Sequence, residues 1–170
     1  VCMKQIVVVL LICLGLTLAP AMAQAQKIAY IDLQKALNLS AAGKEAKEQI
    51  KAQVQVYDAE VKQRQEELKK LKEDLEKQAM LLSEEARSAK ERDYQQKVKE
   101  YQRFTKDIQE TLQQMDQDLT RKILENLLEV AQNLGKSEGY TMILEKTESS
   151  IVYADESIDI TDKVIKASEK

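Results

Sequence analysis

The stretch from Ile50 to Leu82, IKAQVQVYDAEVKQRQEELKKLKEDLEKQAMLL, decides the fold. Steps of four and three residues from Ile50 reach Val54, Tyr57, Val61, Arg64, Leu68, Leu71, Leu75, Gln78 and Leu82, and all but Arg64 and Gln78 are apolar. A repeat of about 3.5 residues draws one narrow apolar stripe along a helix and demands a partner helix to cover it. The remaining faces are charged, with acid-before-base pairs at Asp58/Lys62, Glu60/Arg64, Glu66/Lys70 and Glu73/Lys77. Such pairs support a solvated helix by a few tenths, roughly 0.2–0.5 kcal/mol each.

The partner stripe follows in the same chain: Tyr94, Val98, Tyr101, Thr105, Ile108, Leu112, Met115 and Leu119, again in alternating fours and threes. Extending the first repeat past Leu82 reaches Glu85, Ala89, Arg92 and Gln96, so the second stripe is two residues out of phase. An interruption between them is required, and Ser83-Glu84-Glu85 suits it, with a serine to cap a new helix and two acids for its positive end. The expectation is an antiparallel hairpin over 41–134, with Ala41 to Leu82 going out, Glu84 to Leu134 returning and the tip near 82–92. The returning arm is the longer, so its last turns enter a base. There Ile123, Leu124, Leu127, Leu128, Val130, Ala131 and Leu134 widen the apolar face, and Gly135 and Gly139 read as helix stops.

Short β segments flank the hairpin. Lys27–Asp32 precedes it, with Asp32 placed to cap a short helix Leu33–Leu39. Tyr140–Leu144 and Ser150–Ala154 follow it and are expected to form a β-hairpin across Lys146-Thr147-Glu148-Ser149. Asp159 and Asp162 are expected to cap a closing helix through Val164 and Ile165. The fold class is thus α+β, mostly α: a coiled-coil arm on a small body, 24–40 with 135–170, that is too short to bury a good core alone. Sharing the body between subunits is the economical remedy.

At the other end, Lys4 precedes the apolar run Ile6–Leu18 and then Ala19-Pro20-Ala21-Met22-Ala23, the pattern of a secretory signal peptide over 1–23. The run is shorter than the roughly 20 residues that span a bilayer. Cleavage is placed before Gln24, with Ala23-Gln24-Ala25 as a second register. Both cysteines, Cys2 and Cys13, leave with the leader. Ile12 before Cys13 argues against a lipidated cysteine.

Removing 1–23 takes away one base, Lys4, and no acid, so the net charge moves from −3 to −4. The acidic excess sits from Glu138 to the end, with eight acids against four bases, and the arms are close to neutral. The chain has no His, and the mature part no Cys, which excludes the usual general base, the thiolate nucleophile and the common transition-metal ligands. Acid pairs such as Glu84/Glu85 and Asp116/Asp118 read as solvated helix faces. Lys69-Lys70-Lys72 is answered by Glu66, Glu67, Glu73 and Asp74 and carries no interleaved aromatics, which argues against nucleic acid. No catalytic residue, metal site or cofactor is expected. Surfaces for proteins remain: Val56, Met80, Leu81 and Phe104 are apolar residues that the seam does not use and are the candidate client contacts. Methionine, being flexible and polarizable, suits varied partners.

Two blocks at the ends carry a family resemblance. Lys27-Ile28-Ala29-Tyr30-Ile31-Asp32-Leu33-Gln34-Lys35-Ala36-Leu37 with Ser40-Ala41-Ala42-Gly43-Lys44, and Glu138-Gly139-Tyr140, Ile143-Leu144-Glu145-Lys146, Ile151-Val152-Tyr153-Ala154-Asp155 and Asp159-Ile160-Thr161, closely resemble the OmpH/Skp family of periplasmic chaperones. The resemblance spans the mature chain. It implies a homotrimer with a joint β body, soluble in the periplasm, whose arms enclose unfolded outer-membrane proteins without nucleotide hydrolysis. Its best-known members are strongly basic, whereas this chain is acidic, so no lipopolysaccharide site is carried over and a membrane-surface contact is left open. The alternative is a non-enzymatic periplasmic adaptor or spacer.

Overall fold

The computed structural model describes residues 26–78 and 80–169, so the leader assigned to 1–23 lies outside the described residues. The chain is α+β and mostly helical: β1 (Ile28–Ile31), α1 (Leu33–Leu39), α2 (Ala41–Gln78), α3 (Glu84–Glu138), β2 (Met142–Glu145), a 3-10 turn (Glu156–Ile158) and α4 (Thr161–Ser168).

Local chemistry sets each junction. The Asp32 carboxylate accepts the Lys35 N–H at 2.7 Å and starts α1. Ser40 closes that helix and opens the next: its N–H donates to the Ala36 carbonyl at 3.0 Å, while its buried Oγ accepts from the Gly43 N–H at 3.1 Å. The two helices meet so closely there that a Cβ on Gly43 would lie 1.7 Å from the Leu37 carbonyl oxygen. Only glycine fits.

Helix α2 ends at Gln78, four residues before the expected Leu82, and the turn lies at Met80–Ser83, at the edge of the 82–92 window. Leu81 and Leu82 both donate their N–H groups to the Gln78 carbonyl, at 2.9 and 3.1 Å, and Ser83 Oγ accepts from Ala86 at 3.3 Å to begin α3. The phase break is therefore absorbed within the turn, and residues after Ser83 are helical at once. At about 1.5 Å per residue, the 38 residues of α2 and the 55 of α3 are roughly 57 and 83 Å long.

Gly135 does not stop α3, contrary to the sequence reading. The helix continues to Glu138 and ends at Gly139, which adopts φ 70° and donates to the Gly135 carbonyl. Gly135 serves packing instead, since a Cβ there would lie 3.1 Å from Ile143 Cδ1 on the incoming strand.

The expected β-hairpin does not form. Strand β2 pairs in parallel with β1, in the register Ile28↔Met142, Ala29↔Ile143, Tyr30↔Leu144 and Ile31↔Glu145. Parallel strands need a long crossover, and the whole hairpin supplies it. The far side of β1 is taken by a bridge from Tyr30 to Asp159, with Ile160 N–H donating to the Tyr30 carbonyl at 3.0 Å. Residues 150–154 form no strand: Lys146–Ser150 turn away, with Ser150 at φ 49°.

Beneath the sheet the core gathers Ala29, Ile31, Ala36, Leu127, Ala131, Ile160 and Val164, with Leu33, Ile123 and Ile143 packed against it. Leu127 and Ala131 come from the base of α3, so the longer arm is also a wall of the body. Helix α4 starts one residue later than an Asp159 cap would place it, with Ile160 at the cap position and no side-chain cap. Asp159 instead accepts the Thr161 N–H at 2.8 Å, and the fully buried Thr161 hydroxyl accepts the Asp32 N–H at 2.9 Å. Asp162 pairs with Lys35 at 2.9 Å.

Gly43→Ala forces two backbones apart and is expected to destabilise the protein by roughly 1–3 kcal/mol. Thermal unfolding followed by circular dichroism checks this, and an unchanged midpoint would contradict the packing described at Ser40–Gly43.

Candidate functional site

The arms present one continuous seam. Every apolar stripe position from Ile50 to Leu82 and from Tyr94 to Leu119 is half-buried, while Arg64 remains exposed. Three contacts set the antiparallel register: Gln65 donates to the Tyr101 hydroxyl at 2.6 Å, Lys90 donates to the Gln78 side-chain carbonyl at 2.6 Å, and the Arg64 guanidinium lies 4.0 Å over the Phe104 ring. Of the four anticipated acid-before-base pairs, Glu73–Lys77 closes within salt-bridge range, at 3.6 Å. Asp118 of the Asp116/Asp118 pair bonds Arg121 and Gln114, and Glu84 and Glu85 lie in the first turn of α3.

The four candidate client contacts do not converge. Phe104 is half-buried beneath Arg64. Val56 lies on the outer face of α2, 53% exposed, and Met80 and Leu81 stand at the tip, 98% and 85% exposed. The tip thus offers two adjacent bulky apolar side chains, and the arm one more.

A second apolar surface lies on the body, and sequence reasoning did not single it out. An open hollow of about 460 Å³ is lined by Ile31, Leu128, Ala131, Tyr140, Met142 and Ile143, among others. Leu128 and Met142 are 43% and 50% exposed, and beside them β2 is the outer strand of the sheet, with an edge that nothing pairs with among the described residues. Nearby in sequence, Val152 and Tyr153 are almost fully exposed. The available signal was Leu128 itself, which broadens the α3 stripe beyond what a two-helix seam uses.

Ion pairs tie the ends of the body together. Lys27 lies 3.9 Å over the Tyr140 ring and 3.5 Å from Glu138, which also bonds Lys163. Hydrogen bonding to Lys163, with the charges of Lys163 and Lys27, holds the Glu138 carboxyl below its usual range against the effect of burial. Burial pushes the Asp159 carboxyl up, but hydrogen bonds from Thr161 and the charges of Lys35 and Lys146 outweigh it and hold the group low. Hydrogen bonding to Ser157 lowers Asp155. Among the described residues no group of three or more His, Cys, Asp or Glu could hold a metal ion, and no helix is long and apolar enough to cross a membrane.

A two-helix arm rising from a small body with an open strand edge is the class of protein these elements define. The family model described as outer membrane protein (OmpH-like) matches residues 27–167, and the chain belongs to that family. The crystal structure of a candidate outer membrane chaperone (OmpH-like) from Caulobacter crescentus CB15 shares the fold, with a TM-score of 0.79 at 19% identity over 89% of this chain and 86% of that one. No curated protein matches in sequence.

Carboxyls held low in the folded state stabilise it above their unfolded pKa values and stop doing so as pH falls through the folded ones. The contribution of Glu138, Asp155 and Asp159 is therefore intact above the ordinary carboxylate range, about pH 4–5, and is lost progressively as pH falls below that range through the lowered values. The melting temperature should fall steeply over that lower range, and less steeply in Lys163→Met. An equal slope in both proteins would deny Glu138 its part.

Proposed function

We propose that this chain is an ATP-independent periplasmic holdase that binds unfolded outer-membrane proteins and prevents their aggregation in transit. The observation that carries the reading is the arm tip, where Met80 and Leu81 are exposed at the far end of a rigid hairpin. Adjacent exposed apolar side chains grouped on one surface suit an interaction site better than the same residues scattered singly. A client lacking its fold exposes apolar segments, and a handful of weak apolar contacts from several arms holds it reversibly. Family membership, the leader pattern and the want of His and mature Cys support the same reading, including a non-enzymatic mode with no cofactor.

The oligomer belongs to this proposal. The unpaired β2 edge and the hollow around Leu128 and Met142 suit a second copy, whose 150–154 segment, exposed at Val152 and Tyr153, supplies a strand and apolar cover. A homotrimer is the number that the OmpH/Skp resemblance implies. Val56, Met80 and Leu81 are the proposed client contacts, Phe104 contributing less because Arg64 covers it. The seam from Ile50 to Leu119 provides stiffness.

The test is suppression of light scattering when a urea-unfolded outer-membrane barrel protein is diluted into purified mature protein without nucleotide. Clear solutions at stoichiometric chaperone are expected. Aggregation unaffected by a saturating excess would reject the holdase and favour the adaptor or spacer.

Salt provides a second check. With a net charge of −4 after leader removal and nearly neutral arms, holding should change little between low and physiological ionic strength. A steep loss over that range would show that charge steering, and not apolar contact, dominates capture.

A further inference from the structure

Sulfur is placed unevenly in this chain. With the leader gone there is no thiol, and of five methionines three remain: Met80, Met115 and Met142. Their environments differ sharply. Met115 is half-buried in the arm seam, Met142 is 50% exposed beside the body hollow, and Met80 is 98% exposed in the tip turn. Helix α2 puts roughly 57 Å between that turn and the body, so assembly through the body leaves the tip open to solvent.

We infer that Met80 is an oxidation site, and that its conversion to the sulfoxide switches off client capture at the arm tip. This rests on the holdase reading. The reactant is a two-electron oxidant of the hypochlorous acid or hydroperoxide class. The thioether lone pair forms an S–O bond, the O–Cl or O–O bond breaks, and chloride with a proton, or water or an alcohol, leaves. Sulfur is oxidised by two electrons and the oxidant reduced by two. The product is polar and chiral where the thioether was apolar and adaptable, and a methionine sulfoxide reductase can reverse it.

Exposure decides the order of attack, because oxidation follows access to the sulfur. The seam protects Met115 and the hollow partly protects Met142. Leu81, equally exposed in effect but without sulfur, is untouched, so oxidation halves the apolar pair at the tip. Ser83 and Gln78, whose backbone and side-chain bonds shape the turn, are not oxidised, and the arm remains folded.

The experiment treats the full mature protein with substoichiometric hypochlorous acid, follows sulfoxide formation by peptide mass spectrometry, and repeats the light-scattering assay on wild type and Met80→Leu. Met80 should oxidise at least about fivefold faster than Met115. Oxidised wild type should lose more than about half its suppression, while Met80→Leu, whatever its starting level, should suppress equally before and after the same treatment because leucine has no sulfur to oxidise. Unchanged helical circular dichroism should accompany the loss. Met115 or Met142 reacting as fast as Met80, or full suppression by protein oxidised at Met80, overturns the inference alone. Failure of the unoxidised protein to suppress aggregation overturns the holdase reading, and the switch with it.

Discussion

The pairing of α2 against α3 is the constraint on which everything else rests. Each helix carries a single apolar stripe in an otherwise charged sequence, and neither stripe is covered unless the chain returns in antiparallel register. The ion pairs along the arms are exposed, such as Lys72–Glu76 with both side chains more than 60% accessible, and pairs of that kind are worth roughly 0–1 kcal/mol each. An apolar side chain half-buried in the seam contributes on the order of 1 kcal/mol, and the seam has one at nearly every step. The cohesion of the arms therefore comes from the seam more than from the ion pairs on their surface.

That pairing also builds the body. Because α3 outlasts α2, its last turns bring Leu127 and Ala131 under β1 and deliver β2 to pair with it in parallel. The resulting sheet has one satisfied flank, the Tyr30–Asp159 bridge, and one open flank at β2. A body so small gains little from its own core. On the proposed reading, the open strand edge, the hollow beside it and the exposed Val152 and Tyr153 join copies of the chain, and the arms are left free for clients.

The sequence made the arms legible because a long, strict repeat leaves few alternatives: the out-of-phase stripes located a break, and Ser83 with its acids located the new helix. Caps at Asp32 and Ser83 were equally readable from local chemistry. Gly135 misled because a glycine near a helix end usually signals termination, whereas here it admits Ile143; only the tertiary approach distinguishes the two. The strands misled for a related reason. Tyr140–Leu144 and Ser150–Ala154 are adjacent and turn-linked, yet the partner of β2 is β1, more than a hundred residues away, and pattern alone does not report which strand the crossover returns to. That Arg64 of the other arm lies over Phe104 was not legible either, because pattern within one helix does not report what the facing helix lays across it.

The division of labour between seam, tip and body is tested most directly by shortening the arms in matched steps. Deleting 57–77 and 91–111 removes three heptads from each helix, keeps the stripes in phase and retains the turn at Met80–Ser83. The account predicts that sedimentation shows the same oligomer as the intact protein, with suppression of barrel-protein aggregation lost or greatly reduced. A shortened protein that is monomeric would contradict the account by placing assembly in the arms, and one that still holds clients fully would contradict it by placing capture in the body.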